Sequence, residues 1–497
     1  MGAPSVSTGF STRDRRRFVA RLECGVQALR ELVRRPGFGD GPCTIGAELE
    51  VAILDRSGRA LAENDAIIAA ADDPRLQPEL ARFNVEVNLT PVAAAGRPFA
   101  ALERELVETI ARIDDAAAPL GGRAIAVGIL PSLRAADLSP HALSDAPRYR
   151  ALSAAIRDLR GERPFEIDID GIEPVHVRWP DVTADGATTS FQLHLRVHPS
   201  ELAAAHNAAQ LATPIALAVS ANSPIFLGHV LWDETRIALC EQATDDRPPQ
   251  HGGWRRPSRV SFGNGWTRGD GIEPFAEGAS QHPPLFPICG DEDALAIVRA
   301  GGVPALAEMR LHQGTVWRWN RLVYDPAGGG HLRIELRALP AGPTPADMAA
   351  NAAFLLGLVS GLRTEIDDLL PSIPFGATEE SFYRAARFGL DADILWPSAR
   401  PPSPVAIRAA ELALDCLPIA ARGLARLGVA DDEAAARLDV IRRRIEARIT
   451  PAAWLRRMLG RFERRGASRD AALAALVEAY LAESRSGRPL HEWSGAS

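Results

Sequence analysis

The sequence predicts an α+β protein in which a few strands carry the chemistry and helices supply most of the bulk. Three observations lead there. Four distant segments alternate apolar and polar residues with the period of a strand, helical patterns fill much of the chain between them, and beyond Pro402 the chain reads as Ala-, Arg- and Leu-rich helices only.

The alternating segments are residues 46–54 (Gly-Ala-Glu-Leu-Glu-Val-Ala-Ile-Leu), 83–89 (Phe-Asn-Val-Glu-Val-Asn-Leu), 191–197 (Phe-Gln-Leu-His-Leu-Arg-Val) and 332–338 (Leu-Arg-Ile-Glu-Leu-Arg-Ala). Strand side chains change face at every residue. Glu48 therefore shares a face with Glu50, Asn84 with Glu86 and Asn88, Gln192 with His194 and Arg196, and Arg333 with Glu335 and Arg337. The opposite face is almost wholly apolar. A half-buried sheet ordinarily scatters Thr, Ser, Lys and Glu over its wet side, whereas here carboxylate, His and Arg return four times. That pattern marks a site.

The remaining elements follow in order. A helix is expected over 14–35, stopped by Pro36-Gly37, then a strand over 43–55, a short helix over 64–71 and an amphipathic helix over 99–118 after Gly96-Arg97-Pro98. Residues 123–129 read as a buried strand and 139–160 as mixed loop and helix. Pro199-Ser200-Glu201 opens a helix towards Ser220 that Pro214 should bend, and 233–244 is a further helix. Residues 246–290, rich in Gly and Pro and carrying Trp254 and Trp266, form a long loop, either a cover over substrate or a surface excursion. Residues 316–324 and 331–339 form a hairpin, followed by helices over 346–369 and 379–388. The Pro-rich stretch 397–402 suggests a catalytic domain over 1–395 and a helical C-terminal extension over 396–497.

Composition bounds the function. A chain of 497 residues, 46% hydrophobic and 24% charged, should fold unaided as one large body with an appended part or as two domains. The net charge of -7 offers no electrostatic case for nucleic acid or an anionic membrane. Five widely spaced cysteines without a C-x-x-C indicate neither a disulfide framework nor a zinc module. With no signal peptide and no span of about 20 uncharged apolar residues, a cytoplasmic protein is expected. All 56 basic residues are Arg, as codon bias in a GC-rich genome would produce. No P-loop or Schiff-base lysine can exist, so phosphate must be held by Arg, backbone amides or metal.

Hard divalent cations take oxygen ligands, commonly a few carboxylates together with substrate phosphates. Glu48 and Glu50 stand about 7 Å apart along a strand, a spacing that flanks two neighbouring ions instead of chelating one. Glu86 and Glu335 would complete an acidic floor if their strands join the same sheet. His194 is either a further ligand or a donor to phosphate, and an ordinary core histidine is equally compatible with its position. His194 and His198 imitate an H-x-x-x-H zinc pair, but on a strand they lie about 13 Å apart. Arg337 and Arg333 bring positive charge beside the acids, Arg236 could reach them from the helical layer, and Arg318 and Arg321 lie one hairpin turn from Glu335. Trp317 and Trp319 are read as core, with purine stacking the alternative. Serine-hydrolase, zincin and Rossmann motifs are missing from the sequence.

These segments, in order, resemble the glutamate–cysteine ligase type 2 group and its carboxylate–amine ligase relatives in the glutamine-synthetase-like superfamily. The resemblance rests on Thr44-Ile45-Gly46-Ala47-Glu48-Leu49-Glu50 as a G-x-E-x-E strand, on Val85-Glu86-Val87-Asn88, and on Gln192-Leu193-His194-Leu195. It continues through Ser220-Ala221-Asn222-Ser223-Pro224 with Arg236 downstream, and closes with Ile334-Glu335-Leu336-Arg337. It covers about 44–370 and leaves the tail beyond 400 outside. Val51 stands where many relatives carry Phe, and Gln192 where a second His is common.

The resemblance implies a curved antiparallel sheet shaped as a funnel and backed by helices, holding ATP with Mg²⁺ or Mn²⁺. It implies metal-ligand roles for Glu48, Glu50, Glu86, His194 and Glu335, and a phosphate-binding role for Arg337. Arg333 and Arg236 are the further catalytic candidates, and Arg318, Arg321 and Gln192 the further nucleotide contacts. The expected reaction joins a carboxylate, commonly the γ-carboxylate of glutamate, to an amine such as that of cysteine through an acyl phosphate. The alternatives are a metal-dependent amidase or phosphohydrolase, a ligase with other substrates, and a nucleotide binder without turnover. Small molecules are the expected partners, with a homo-oligomer possible through the helical tail.

Overall fold

The computed structural model describes residues 10–161, 163–248, 255–398 and 403–495. Its main sheet has eight strands: β1 Thr44–Leu54, β2 Leu76–Pro78, β3 Asn84–Asn88, β4 Val92–Ala93, β5 Arg123–Ile125, β6 Phe191–Val197, β7 Asn320–Asp325 and β8 His331–Leu336. They lie in the order β7-β8-β6-β1-β3-β2, every pairing is antiparallel, and the sheet curls into a half-barrel. The 11-residue β1 is long enough to serve four neighbours. β3 and β4 lie along one edge, β6 and β5 along the other.

Register converts the alternation into a surface. Glu50 stands opposite Glu86, and Glu48 lies between Asn88 and Gln192. His194 lies between Gly46 and Glu335, and Glu335 faces Arg321. The intervening residues Ala47, Leu49, Val51, Val85, Val87, Leu193, Leu195, Ile334 and Leu336 form the other face. They pack on the helices Leu202–Ser220 and Pro345–Leu362 in the larger core. By length and apolarity both helical segments could cross a membrane, but 89% and 94% of their apolar windows are buried in this body. Pro214 lies inside the first helix and is accommodated there.

Helix Pro345–Leu362 also meets helix Ala409–Arg426 at very close range. A Cβ on Gly357 would sit 2.7 Å from the Ala420 carbonyl oxygen, and Cβ atoms on Gly361 and Gly423 would collide with Ile419 O and Gly357 O. Only glycine allows the two backbones to touch there.

A second core closes one end of the half-barrel. Beyond Glu50 the polar face of β1 turns apolar, and Ala52 and Leu54 join Ile125, the hairpin Phe165–Ile169 with Val175–Trp179, and the C-terminal Trp454, Leu476 and Tyr480. Tyr480 Oη donates to Ala126 O at 2.9 Å and accepts from Asn222 Nδ2 at 2.8 Å, tying the C-terminal helices to the sheet.

Several expectations need adjustment. The hairpin over 165–179 is additional to the expected elements, and of the strand expected over 123–129 only Arg123–Ile125 pairs with β1, while Ile129 makes an isolated bridge to Thr188. The expected boundary at 395 falls inside a two-stranded sheet of Asp393–Trp396 with Val405–Arg408. Within the expected loop 246–290, Glu273–Gln281 is helical, and Trp254 lies outside the described residues. Of the stretch 397–402, residues 399–402 also lie outside them.

Candidate active site

Four strands of the half-barrel present their polar side chains to one another. Glu48 Oε1 lies 3.0 Å from His194 Nε2, and the Arg333 Nε donates to His194 Nδ1 at 3.1 Å while its other nitrogen holds Asp325 at 2.9 Å. Glu50 accepts from the Ser190 N–H at 2.7 Å, from Ser190 Oγ at 3.0 Å and from Gln192 Nε2 at 3.0 Å. Glu86 accepts from Asn88 Nδ2 at 2.9 Å. Among the described residues, no arginine pairs with Glu50 or Glu86.

The opposite holds one strand further on. Arg321 grips Glu335 through both oxygens at 2.7–3.1 Å, Arg337 also bonds Glu335, and Arg337 donates to Gln192 Oε1 at 2.6 Å. Burial would raise the Glu335 carboxyl, but Arg321, Arg337 and His194 outweigh it and hold it well below the ordinary carboxylate range. At Glu50 burial wins and the nearby Glu79 adds to it, so the carboxyl is pushed up to about 8. Glu86 is driven well above its usual value by burial and by Glu79, Glu48 and Glu50. The sheet thus holds one overneutralised acid beside a group of undercompensated ones.

A cavity of about 430 Å³ opens over this face, lined by Glu48, Glu50 and Glu86 on the acidic side and by Arg321 and Arg337 on the basic one. Glu48 also lines two neighbouring cavities of about 220 and 560 Å³, where Arg333 is a common wall. Gln192 and Arg236 line the first cavity, but Arg236 is already engaged, its Nε with Glu234 at 2.7 Å and another nitrogen with Ala338 O at 2.6 Å. Trp317 and Trp319 line it as well, so the tryptophans read as core also face the site.

One predicted contact is not brought in. Trp317, Trp319 and Arg321 line the cavity, whereas Arg318 turns the other way and pairs with Glu277 at 2.9 Å. The reason is parity: residues 318 and 321 are three apart on an extended chain and cannot share a face. His198 lies 3.4 Å from Asp40 at the exposed end of β6, away from Glu48, so no H-x-x-x-H pair forms.

The sequence reading missed Glu79, Arg148, Tyr149, Asp185 and Cys240, all of which line the cavity. The alternation of 165–169 and 175–179 was a usable signal, because that hairpin precedes the turn that carries Asp185.

Among the described residues, no three or more His, Cys, Asp or Glu side chains are gathered as a ready metal cage. The donor chemistry nevertheless suits a hard cation at one end: Glu48, Glu50 and Glu86 offer oxygen, and the last two lack a cationic partner. His194 and Glu335 are engaged with Glu48 and with arginines, so each would have to exchange partners to act as a ligand.

No curated protein matches the sequence. Among solved structures, glutamate–cysteine ligase from Francisella tularensis in complex with AMP aligns at a TM-score of 0.49 and 10% identity, over 92% of this chain and 91% of that one. A bifunctional glutathione synthetase from Pasteurella multocida aligns at 0.44 and 12% identity, over 89% of this chain and 53% of that one, so this chain spans about half its length. The sequence profile described as glutamate–cysteine ligase family 2 matches residues 44–478, well past the point near 370 where the motif resemblance ended. Because that match takes in all eight strands, their acidic face and most of the C-terminal helices, the chain belongs to glutamate–cysteine ligase family 2.

Proposed function

We propose that the protein joins a carboxylic acid, with glutamate the first candidate, to an amine by way of an acyl phosphate made from ATP. The observation that carries this reading is the charge division across one concave face. Uncompensated Glu50 and Glu86 stand at one end, and Glu335 with Arg321 and Arg337 at the other, with Glu48 at the wall of three cavities.

Glu48, Glu50 and Glu86 would hold Mg²⁺ or Mn²⁺, with His194 and Glu335 joining after exchanging partners. The metal would supply neutralisation of the charge on phosphate oxygens. The chain's own groups do the rest. Arg337 and Arg321 present guanidinium N–H groups to the transferring phosphoryl group, and Arg333 supports the phosphate chain from the neighbouring cavities. The acid's carboxylate oxygen attacks the γ-phosphorus, the bond to ADP breaks, and an acyl phosphate forms. The amine nitrogen then attacks the acyl carbon, phosphate leaves, and one proton is released. Trp317, Trp319 and Tyr149 wall the cavity and limit water, which would otherwise hydrolyse the acyl phosphate.

The test is ADP release measured with ATP, Mg²⁺, glutamate and a panel of amines, with product mass determined. A ligase gives ADP only when acid is present and a product lighter than the two reactants by one water. ADP release independent of acid, or hydrolysis of amides without ATP, overturns the reading.

A further inference from the structure

The cavity wall contains a carboxylate to which the chemistry above gives no task. Asp185 lies in the 3₁₀ turn Val182–Ala187, which is anchored from several sides. Asp181 Oδ1 accepts from the Thr183 N–H at 2.9 Å, Thr183 Oγ1 donates to Leu138 O at 2.6 Å, and Asn84 Nδ2 donates to Gly186 O at 2.8 Å. The turn is therefore fixed, and Asp185 lines the cavity together with Thr188 and Cys240. Thr188 Oγ1 and Cys240 Sγ stand 3.5 Å apart beside it.

Asp185 Oδ1 is shut off from solvent without a hydrogen-bond partner among the described residues, and the donor beside the carboxyl is the Cys240 thiol, a weak one. Arg236 lines the same cavity but is held by Glu234 and Ala338. A buried carboxylate oxygen without a donor is costly, and natural proteins keep one chiefly where a ligand completes it.

We propose, building on the ligase reading, that Asp185 is the counter-ion for a substrate ammonium group, so that the cavity selects an amino acid over an uncharged amine or a plain carboxylic acid. Its carboxyl is pushed up to about 7, by burial first and by Glu79, against a lowering contribution from Cys240 and the two arginines Arg337 and Arg236. An arriving ammonium supplies the charged donor that a thiol cannot replace. Two substrate groups share this chemistry: the ammonium of the acid being activated and that of the acceptor amine. For the acceptor, Asp185 would also take a proton: the ammonium gives one proton to the carboxylate, which frees the nitrogen lone pair, the nitrogen–carbon bond then forms, the carbon–oxygen bond to phosphate breaks, and the second N–H proton leaves to water.

The experiment measures binding of each common amino acid, and of its desamino analogue, to the wild type and to Asp185→Asn by thermal shift and calorimetry. At least one amino acid should stabilise the wild type and bind the variant about tenfold or more weakly, the loss of one charged hydrogen bond. Its desamino analogue should bind both proteins equally and weakly. The proposal is overturned if no amino acid binds the wild type, if the desamino analogue binds the wild type as well as the amino acid does, or if the variant binds as the wild type does. The wild-type comparison decides the matter even should the variant misfold.

Hydroxamate formation from hydroxylamine, an uncharged nucleophile near neutral pH, separates the two sources. Preserved hydroxamate formation with lost amino-acid ligation places the acceptor's ammonium at Asp185, whereas a raised KM for the acid in both assays places the donor's. Binding without any acid-dependent ADP release would remove the ligase reading and leave the Asp185 site standing.

Discussion

Glu50 and Glu86 face each other directly across the β1–β3 ladder, and among the described residues no arginine pairs with either. Like charges in cross-strand register destabilise a sheet. The arrangement makes sense as a site whose counter-charge arrives from outside.

Replacement of Glu86 by Gln removes that repulsion while Asn88 can still donate to the remaining side-chain oxygen. In chelator the variant should be more stable than the wild type by on the order of 1 kcal/mol. In millimolar Mg²⁺ the order should reverse, because only the wild type gains. Melting curves with and without Mg²⁺ check both halves, and equal Mg²⁺ gains in the two proteins would contradict the ligand role.

Stability of the metal-free protein should fall as pH rises through the same groups. Glu50 has its carboxyl raised from 4.5 to about 8, so its contribution is fully present below about 4.5 and is lost as pH climbs to about 8. Glu335 is shifted the other way, and its contribution is present above about 4.5 and lost on acidification. Urea midpoints in chelator should therefore decline between about 4.5 and 8, less steeply in Glu86→Gln. A midpoint that rises across that window would refute the assignment.

Arg337 bonds both Glu335 and Gln192 through Nη1 alone, which leaves the rest of the planar fork to meet phosphate oxygens in a way an ammonium cannot. Arg337→Lys should cut acid-dependent ADP release about 100-fold or more, nearly as far as Arg337→Ala. Folding should suffer little, since Arg321 keeps its three bonds to Glu335. Steady-state kinetics beside a thermal melt gives both numbers.

Gly361→Ala tests the helix contact far from the site. The new methyl collides with the Ile419 backbone, so a loss of about 1–3 kcal/mol is expected. The folded fraction should retain wild-type kcat and KM.

The polar face was legible in the sequence because strand alternation is local: Glu48, Glu50, Glu86, Gln192, His194, Glu335 and Arg337 were grouped by parity alone, and the ladder registers bring them together. Parity applied equally strictly would have separated Arg318 from Arg321. What alternation cannot give is which strands are neighbours or who pairs with whom. The double arginine grip on Glu335 and the lack, among the described residues, of an arginine pairing with Glu50 or Glu86 are properties of register. Asp185 sits in a short turn without period, and Glu79 directly follows the brief strand β2. Helix limits such as Asn64–Ala71 were readable, but an amphipathic helix states only that one face is covered, so the docking of Trp454 and Tyr480 against β1 and β5 was not.

That docking has a consequence during synthesis. The last strand of the sheet is complete at Leu336, yet Ala52, Leu54 and Ile125 gain part of their cover only when Trp454, Leu476 and Tyr480 have emerged. A nascent chain therefore carries a finished catalytic floor with a bare apolar end for more than a hundred residues of further translation. A ribosome stalled near residue 400 should display a chaperone client and no working enzyme.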